Sequence, residues 1–202
     1  MKIEGDWIKA MKPMTRMWLR VRRSVLDLSA DCRGLAAIEF AMIVPLMLVL
    51  FFGTVEFSTG LAIDRKVTVM ARTLSDLTSQ NISVTDTQLA NFRNAGAGIM
   101  TPYDATPIKS TITELFVDPT TKVARVQWSK GDAPRGAGST VAIPAALQVG
   151  GTYLIYSEVS YKYVPSIGYV MTKAGIDMSD FNYTRPRQSL CVMYNTAVCT
   201  TT

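Results

Sequence analysis

Residues 33–56 read RGLAAIEFAMIVPLMLVLFFGTVE, a basic stretch that ends at a glycine and gives way to a long apolar run. From Leu35 to Val55 the only charge is Glu39. Those 21 residues, wound as a helix at about 1.5 Å each, reach roughly 31 Å, the hydrocarbon thickness of a bilayer. Twelve of them are Leu, Ile, Phe or Val. At about −0.3 to −0.6 kcal/mol apiece they favour insertion by roughly −4 to −7 kcal/mol, against about +3 kcal/mol for one acidic residue at mid-membrane. A single membrane-spanning helix is predicted, and it poses a question: why a carboxylate stands so near its start.

Working upstream, residues 1–33 hold eight Lys/Arg against four Asp/Glu, whereas residues 34–202 hold thirteen against twelve. The basicity of the chain, net +5, therefore lies ahead of the apolar run. This is the positive-inside pattern, which puts the N-terminus in the cytoplasm and the C-terminal part across the membrane. No basic face with interleaved aromatics follows, so nucleic acid is not expected as a partner. In the leader, Trp7, Ile8, Met11, Met14, Met17, Trp18, Val21, Val25 and Leu26 recur at mostly three or four residues among Arg16, Arg20, Arg22 and Arg23. That spacing suits an amphipathic helix on an anionic membrane surface, the alternative being a structureless tail. Cys191 and Cys199 fall on the side expected to be oxidising and Cys32 on the reducing side, which pairs the first two and leaves the third free. Three unpaired thiols are the alternative.

Downstream, Phe57, Leu61, Val67, Met70, Leu74 and Leu77 keep a helical period to about Thr78, with Asp64, Arg65, Lys66, Arg72 and Asp76 on the other face. Pro45 removes a backbone donor, and Gly53 and Gly60 loosen the helix. Thr85 to Gln88 has capping-box spacing ahead of a short helix through Leu89, Phe92 and Ile99. The period then falls to two. Ser110–Val117 and Lys122–Ser129, joined by Asp118-Pro119-Thr120-Thr121, predict a hairpin. Gly131 to Ser139 is a loop, and Val141–Leu147, carrying Pro144, is too interrupted to be assigned as a strand. Tyr153–Val164 is the strongest strand, with Leu154, Tyr156 and Glu158 on one face and Tyr153, Ile155, Ser157, Val159, Tyr161 and Tyr163 on the other. A last short strand falls in Asn182–Pro186. The expected fold class is α+β: a long N-terminal helix, half in lipid and half packed on an antiparallel sheet of three or four strands.

The chain contains no histidine. That removes the Ser-His-Asp arrangement, the usual zinc spacings and the commonest general base. The cysteines form no metal-ligand pattern, and Gly96-x-Gly98 and Gly136-x-Gly138 are isolated loop glycines rather than a phosphate cradle. No cofactor, metal or catalytic residue is expected, and the chain is not read as an enzyme.

The junction carries the most specific signal. A glycine followed by an apolar residue, with a glutamate four residues further on at the cytoplasmic lip of a membrane helix, is the arrangement a prepilin peptidase reads. Gly34-Leu35-Ala36-Ala37-Ile38-Glu39-Phe40-Ala41, then Pro45 and the Gly53-x-x-Glu56-Phe57 exit, resemble the N-terminal signature of TadE-like proteins, minor pilins or pseudopilins of tight-adherence (Flp-type) pilus assembly in bacteria. The resemblance is close over residues 33–60 and looser at Glu158–Tyr163 and Arg185-Pro186-Arg187. The sister TadG-like proteins share the anchor pattern. The resemblance implies a type IV pilin-like fold and cleavage after Gly34, so that residues 1–34 are a removed leader, 35–57 a transmembrane helix and 58–202 an exported domain. It places the protein in the bacterial inner membrane with that domain periplasmic or extracellular, and gives it prepilin peptidase, other pilin and pilus-assembly subunits and the lipid bilayer as partners. In such an assembly the new α-amino group of Leu35 would be neutralised by Glu39 of a neighbouring subunit, which sets the register. The competing readings are an uncleaved, single-pass periplasmic binding or scaffold protein, in which Gly34 is incidental and Glu39 sits at the headgroup boundary, and a secreted chain cut near Ser58-Thr59-Gly60 or Gly60-Leu61-Ala62.

Overall fold

The structure, a computed structural model, describes residues 33–165, 175–197 and 199. The amphipathic leader and Cys32 lie outside the described residues. The chain divides into two units, residues 1–52 and 53–202.

In the first unit the described residues are helical, belonging to helix α1, Arg33–Ser79. Its apolar side chains point outward all round: Phe40, Met42, Leu46 and Leu50 are each 62–75 % exposed. Mean hydropathy reaches 2.5 in this part of the helix, and none of that stretch is buried, so by length and composition it can cross a membrane. A helix apolar on every side is stable in lipid, where its backbone groups satisfy one another. Pro45 lies inside it and leaves the Ala41 carbonyl without its usual donor.

In the second unit α1 changes character. Ile63, Val67, Met70, Ala71 and Leu74 are buried along one stripe, flanked by buried Ser75 and Thr78. The stripe differs from the expected one at its start, because Phe57 and Leu61 are 66 % and 44 % exposed. Each sits one position, about 100° of turn, beyond Glu56 and Gly60, which continue the buried line. A five-stranded antiparallel sheet, ordered β4-β3-β2-β5-β6, is built from β2 (Ile108–Val117), β3 (Ala124–Gly131), β4 (Thr140–Val141), β5 (Tyr153–Tyr163) and β6 (Ile176–Thr184). One face of this sheet covers the α1 stripe with Ile112, Trp128, Ile155, Val159, Tyr161 and Tyr163. Ser157 donates to the Ala71 carbonyl at 2.5 Å, and Asn182 and Thr184 reach Ser75 at 2.6 and 2.9 Å. These small helix residues let sheet and helix approach closely. The opposite face buries Leu115, Val117, Val126 and Leu154 beneath Ile143 and Leu147.

Helix α2 (Asp86–Gly98) opens on the expected capping box of Thr85 and Gln88. Its Gly96 lies against Met70 and Leu74, where an added Cβ would come within 3.2 Å of both side chains. Lys66 donates to the carbonyls of Ile99 and Thr101 at 2.7 and 2.9 Å, satisfying carbonyls at the end of that helix. In the β2–β3 hairpin the Asp118 carboxylate accepts from the amides of Thr120 and Thr121 at 2.7 and 2.8 Å, and those bonds hold its pKa below the usual carboxylate value. The strand β3 closes at Gly131, φ 146°, where a Cβ would strike the Ser110 carbonyl. The sheet exceeds expectation by one short edge strand, β4, and β6 begins six residues earlier than its expected start. A further parallel pair, β1 (Ser83–Val84) with β7 (Met193–Tyr194), was not expected at all.

Candidate functional site

Gly34, Leu35 and Glu39 occupy the first turns of α1. Leu35 is 58 % exposed, and Glu39 is exposed as well. The two are one helical turn apart and so share a face. Glu39 has no hydrogen bond or ion pair among the described residues. A Cβ built on Gly34 would meet nothing within 4 Å. Glycine in a helix costs about 1 kcal/mol relative to alanine, and here neither backbone nor packing asks for it. The three residues singled out at the junction thus lie on adjacent turns of α1, and among the described residues no side-chain hydrogen bond or ion pair involves them.

Residues 34–73 match the family model described as TadE-like protein. The chain carries the TadE-like signature. The matched segment starts on Gly34, includes Glu39, Pro45 and Glu56, and ends within the buried stripe of α1. No curated protein and no solved structure matches the chain significantly.

Downstream in the TadE-like segment, Glu56 is buried, 5 % exposed, and accepts a hydrogen bond from the Tyr163 hydroxyl of β5. Burial first, then this carboxylate, push the Tyr163 hydroxyl well above its ordinary pKa. Glu56 therefore fastens α1 to the sheet, a role visible in the sequence only by extending the stripe Ile63–Leu74 back two turns.

Cys191 and Cys199 form a disulfide, as expected. The segment it begins is seated by two groups that sequence reading missed. The Glu114 carboxylate, 1 % exposed, accepts from the Val192 amide at 2.6 Å, and the Trp128 indole donates to the Val192 carbonyl at 2.8 Å. Burial pushes the Glu114 carboxyl up to about 7 against the lowering effect of those donors. The signal was present in the alternation of β2, where Ile112, Glu114 and Phe116 share a side. Among the described residues no group of three or more His, Cys, Asp or Glu is placed to hold a metal ion.

Proposed function

We propose that this chain is a pilin-like (pseudopilin) membrane subunit for tight-adherence pilus assembly, matured by prepilin peptidase after Gly34. The observation that carries the reading is the TadE-like match that begins on Gly34 and includes Glu39. A glycine with open space around it leaves room for a peptidase to close upon that turn of the chain. Cleavage there makes Leu35 the first residue and Glu39 the fifth. The new ammonium of one subunit and the Glu39 carboxylate of the next neutralise each other at the membrane margin, where either alone is costly. The leader charge orients the helix with its N-terminus cytoplasmic and residues 58–202 exported from the bacterial inner membrane. The role is structural rather than enzymatic, and the partners are prepilin peptidase and other pilus subunits.

Mass spectrometry of the protein from its native host, with and without the prepilin peptidase, tests the reading. The expected mature chain starts at Leu35 only when the peptidase is present. A chain that still begins near Met1 in its presence sinks the proposal in favour of an uncleaved periplasmic scaffold.

A further inference from the structure

The face of the sheet turned away from α1 is ordered in rows across three strands. By register, Lys109, Ser160 and Ser179 form one row, Thr111, Glu158 and Phe181 the next, and Thr113, Tyr156 and Tyr183 the third. The first two rows border a cleft of about 450 Å³ that Arg135 also lines, a volume within the range of roughly 300–1,000 Å³ usual for small-molecule sites. Asp180 alternates to the other side of β6 with Asn182 and Thr184, which reach Ser75 of α1, so its carboxylate lies across the sheet from the cleft.

The cleft floor is fixed. Arg135 forks onto both oxygens of Glu158, one contact at 2.9 Å, and its guanidinium lies 5.3 Å from the Tyr156 ring centre. The Tyr156 hydroxyl donates to the same carboxylate at 2.9 Å. Tyr156 and Tyr183 stack at 4.6 Å, and both support Phe181 at 6.0 and 5.7 Å. Phe181 nevertheless stands 55 % exposed. Lys109, Ser160 and Ser179 have no side-chain partner among the described residues. A supported, solvent-facing ring therefore borders an unspent ammonium and two unspent hydroxyls.

The charges choose the ligand class. Arg135 and Glu158 cancel each other, and in the row beyond the cleft Lys162 stands opposite Asp177. The exposed Lys109 is left as a positive charge with no counterpart on this face among the described residues. With Ser160 and Ser179 it makes a row of donors, which selects an anionic group. Two further features restrict the rest of the ligand. The Glu158 carboxylate, 31 % exposed, accepts from two nitrogens of Arg135 and from Tyr156, three of the roughly four bonds a carboxylate can take. The remaining position suits a ligand hydroxyl, and the Phe181 ring suits an apolar C–H face. A simple anion meets only the donor row, and a neutral sugar leaves Lys109 unmatched. A uronate carries all three groups: a carboxylate, hydroxyls and the C–H face of a pyranose. We propose that this cleft binds an acidic saccharide of the uronate class, its carboxylate on Lys109 with Ser160 and Ser179, a hydroxyl on Glu158 and its ring on Phe181.

The experiment uses full-length protein in phosphatidylcholine nanodiscs and saturation-transfer NMR titrations with trigalacturonate and trimannuronate. Their methyl esters, which keep the rings and lose the charge, and acetate, which keeps only the carboxylate, are the comparators. At least one uronate is expected to bind saturably and more tightly than both its ester and acetate. Lys109→Gln should weaken it about tenfold and erase the preference for acid over ester, while Lys109→Arg retains that preference. Phe181→Ala should weaken acid and ester alike by about tenfold, and Phe181→Tyr, which keeps the ring, should retain binding and controls for folding. Absence of saturable binding by both uronates, an ester or acetate that binds as tightly as the acid, or affinity unchanged in Lys109→Gln or Phe181→Ala overturns the proposal.

Discussion

Helix α1 contains two apolar regions made of the same residue types and solved in opposite ways. Between Leu35 and Phe52 the large side chains are exposed on every side, whereas between Ile63 and Leu74 all of them but Val69, 48 % exposed, lie on one buried stripe. The difference shows what each region has for a partner. The stripe finds its partner within the chain, in Ile112, Ile155, Val159 and Tyr163 of the sheet. The first region finds none among the described residues and depends on lipid or on other helices. Stability of the folded domain and function of the membrane segment should therefore be separable by mutation.

The sharpest separation is expected at Glu39. Glu39→Ala should leave membrane insertion and the melting of the domain unchanged while abolishing pili, counted by electron microscopy of cells carrying the variant. Normal piliation would remove the carboxylate from the assembly mechanism. Leu74→Ala should do the reverse. Its side chain is fully buried, and truncation should destabilise the domain by about 2–5 kcal/mol, read as a lower denaturant midpoint with unaltered membrane fractionation.

Glu114 supplies a pH test confined to the domain. Its folded pKa of about 7 lies above the ordinary 4.5, so the folded state holds a proton that the unfolded chain releases. The associated stability is complete below pH 4.5 and is lost as pH rises to about 7, on the order of 3 kcal/mol in all. Glu114→Gln keeps an acceptor for the Val192 amide and should flatten the pH dependence of Tm across that window. A slope as steep as in the parent chain would show that another group titrates there. Cys191→Ser opens the disulfide loop and should lower domain stability by roughly 2–3 kcal/mol, measured by urea titration against the parent chain under oxidising conditions. The smallest effect belongs to Leu48→Ala. It should shift insertion by only about 0.5 kcal/mol and leave domain melting untouched, the counterpart of Leu74→Ala that completes the comparison.

The parts of the fold legible in the sequence are those set by local pattern. The α1 length, the Thr85 capping box, the Asp118 turn and the two faces of β5 each follow from spacing within a few residues. The start of β6 was hidden because Asp177 and Asp180 interrupt its alternation and leave no apolar run to read. The pairing of β1 with β7 joins two-residue strands 110 positions apart, Ser83 opposite Met193, and two residues are too few to show a period. The misplaced beginning of the buried stripe came from counting Phe57 and Leu61 for their size, when the helix turns Glu56 and Gly60 inward instead. At the candidate site the contrast is similar. Gly34, Leu35 and Glu39 are neighbours in sequence and needed no fold to be associated, whereas Lys109, Ser160 and Ser179 are assembled only by the register of three strands.

The seat of Val192 has a consequence for how the domain is made. Its amide and carbonyl answer groups 78 and 64 residues earlier in the chain, and until they arrive Glu114 and Trp128 lack those partners in the middle of the sheet. A chain emerging N-terminus first can therefore assemble helix, hairpin and central strands and still be incomplete. The segment around Val192 acts as the keystone, set after helix, hairpin and central strands have been raised.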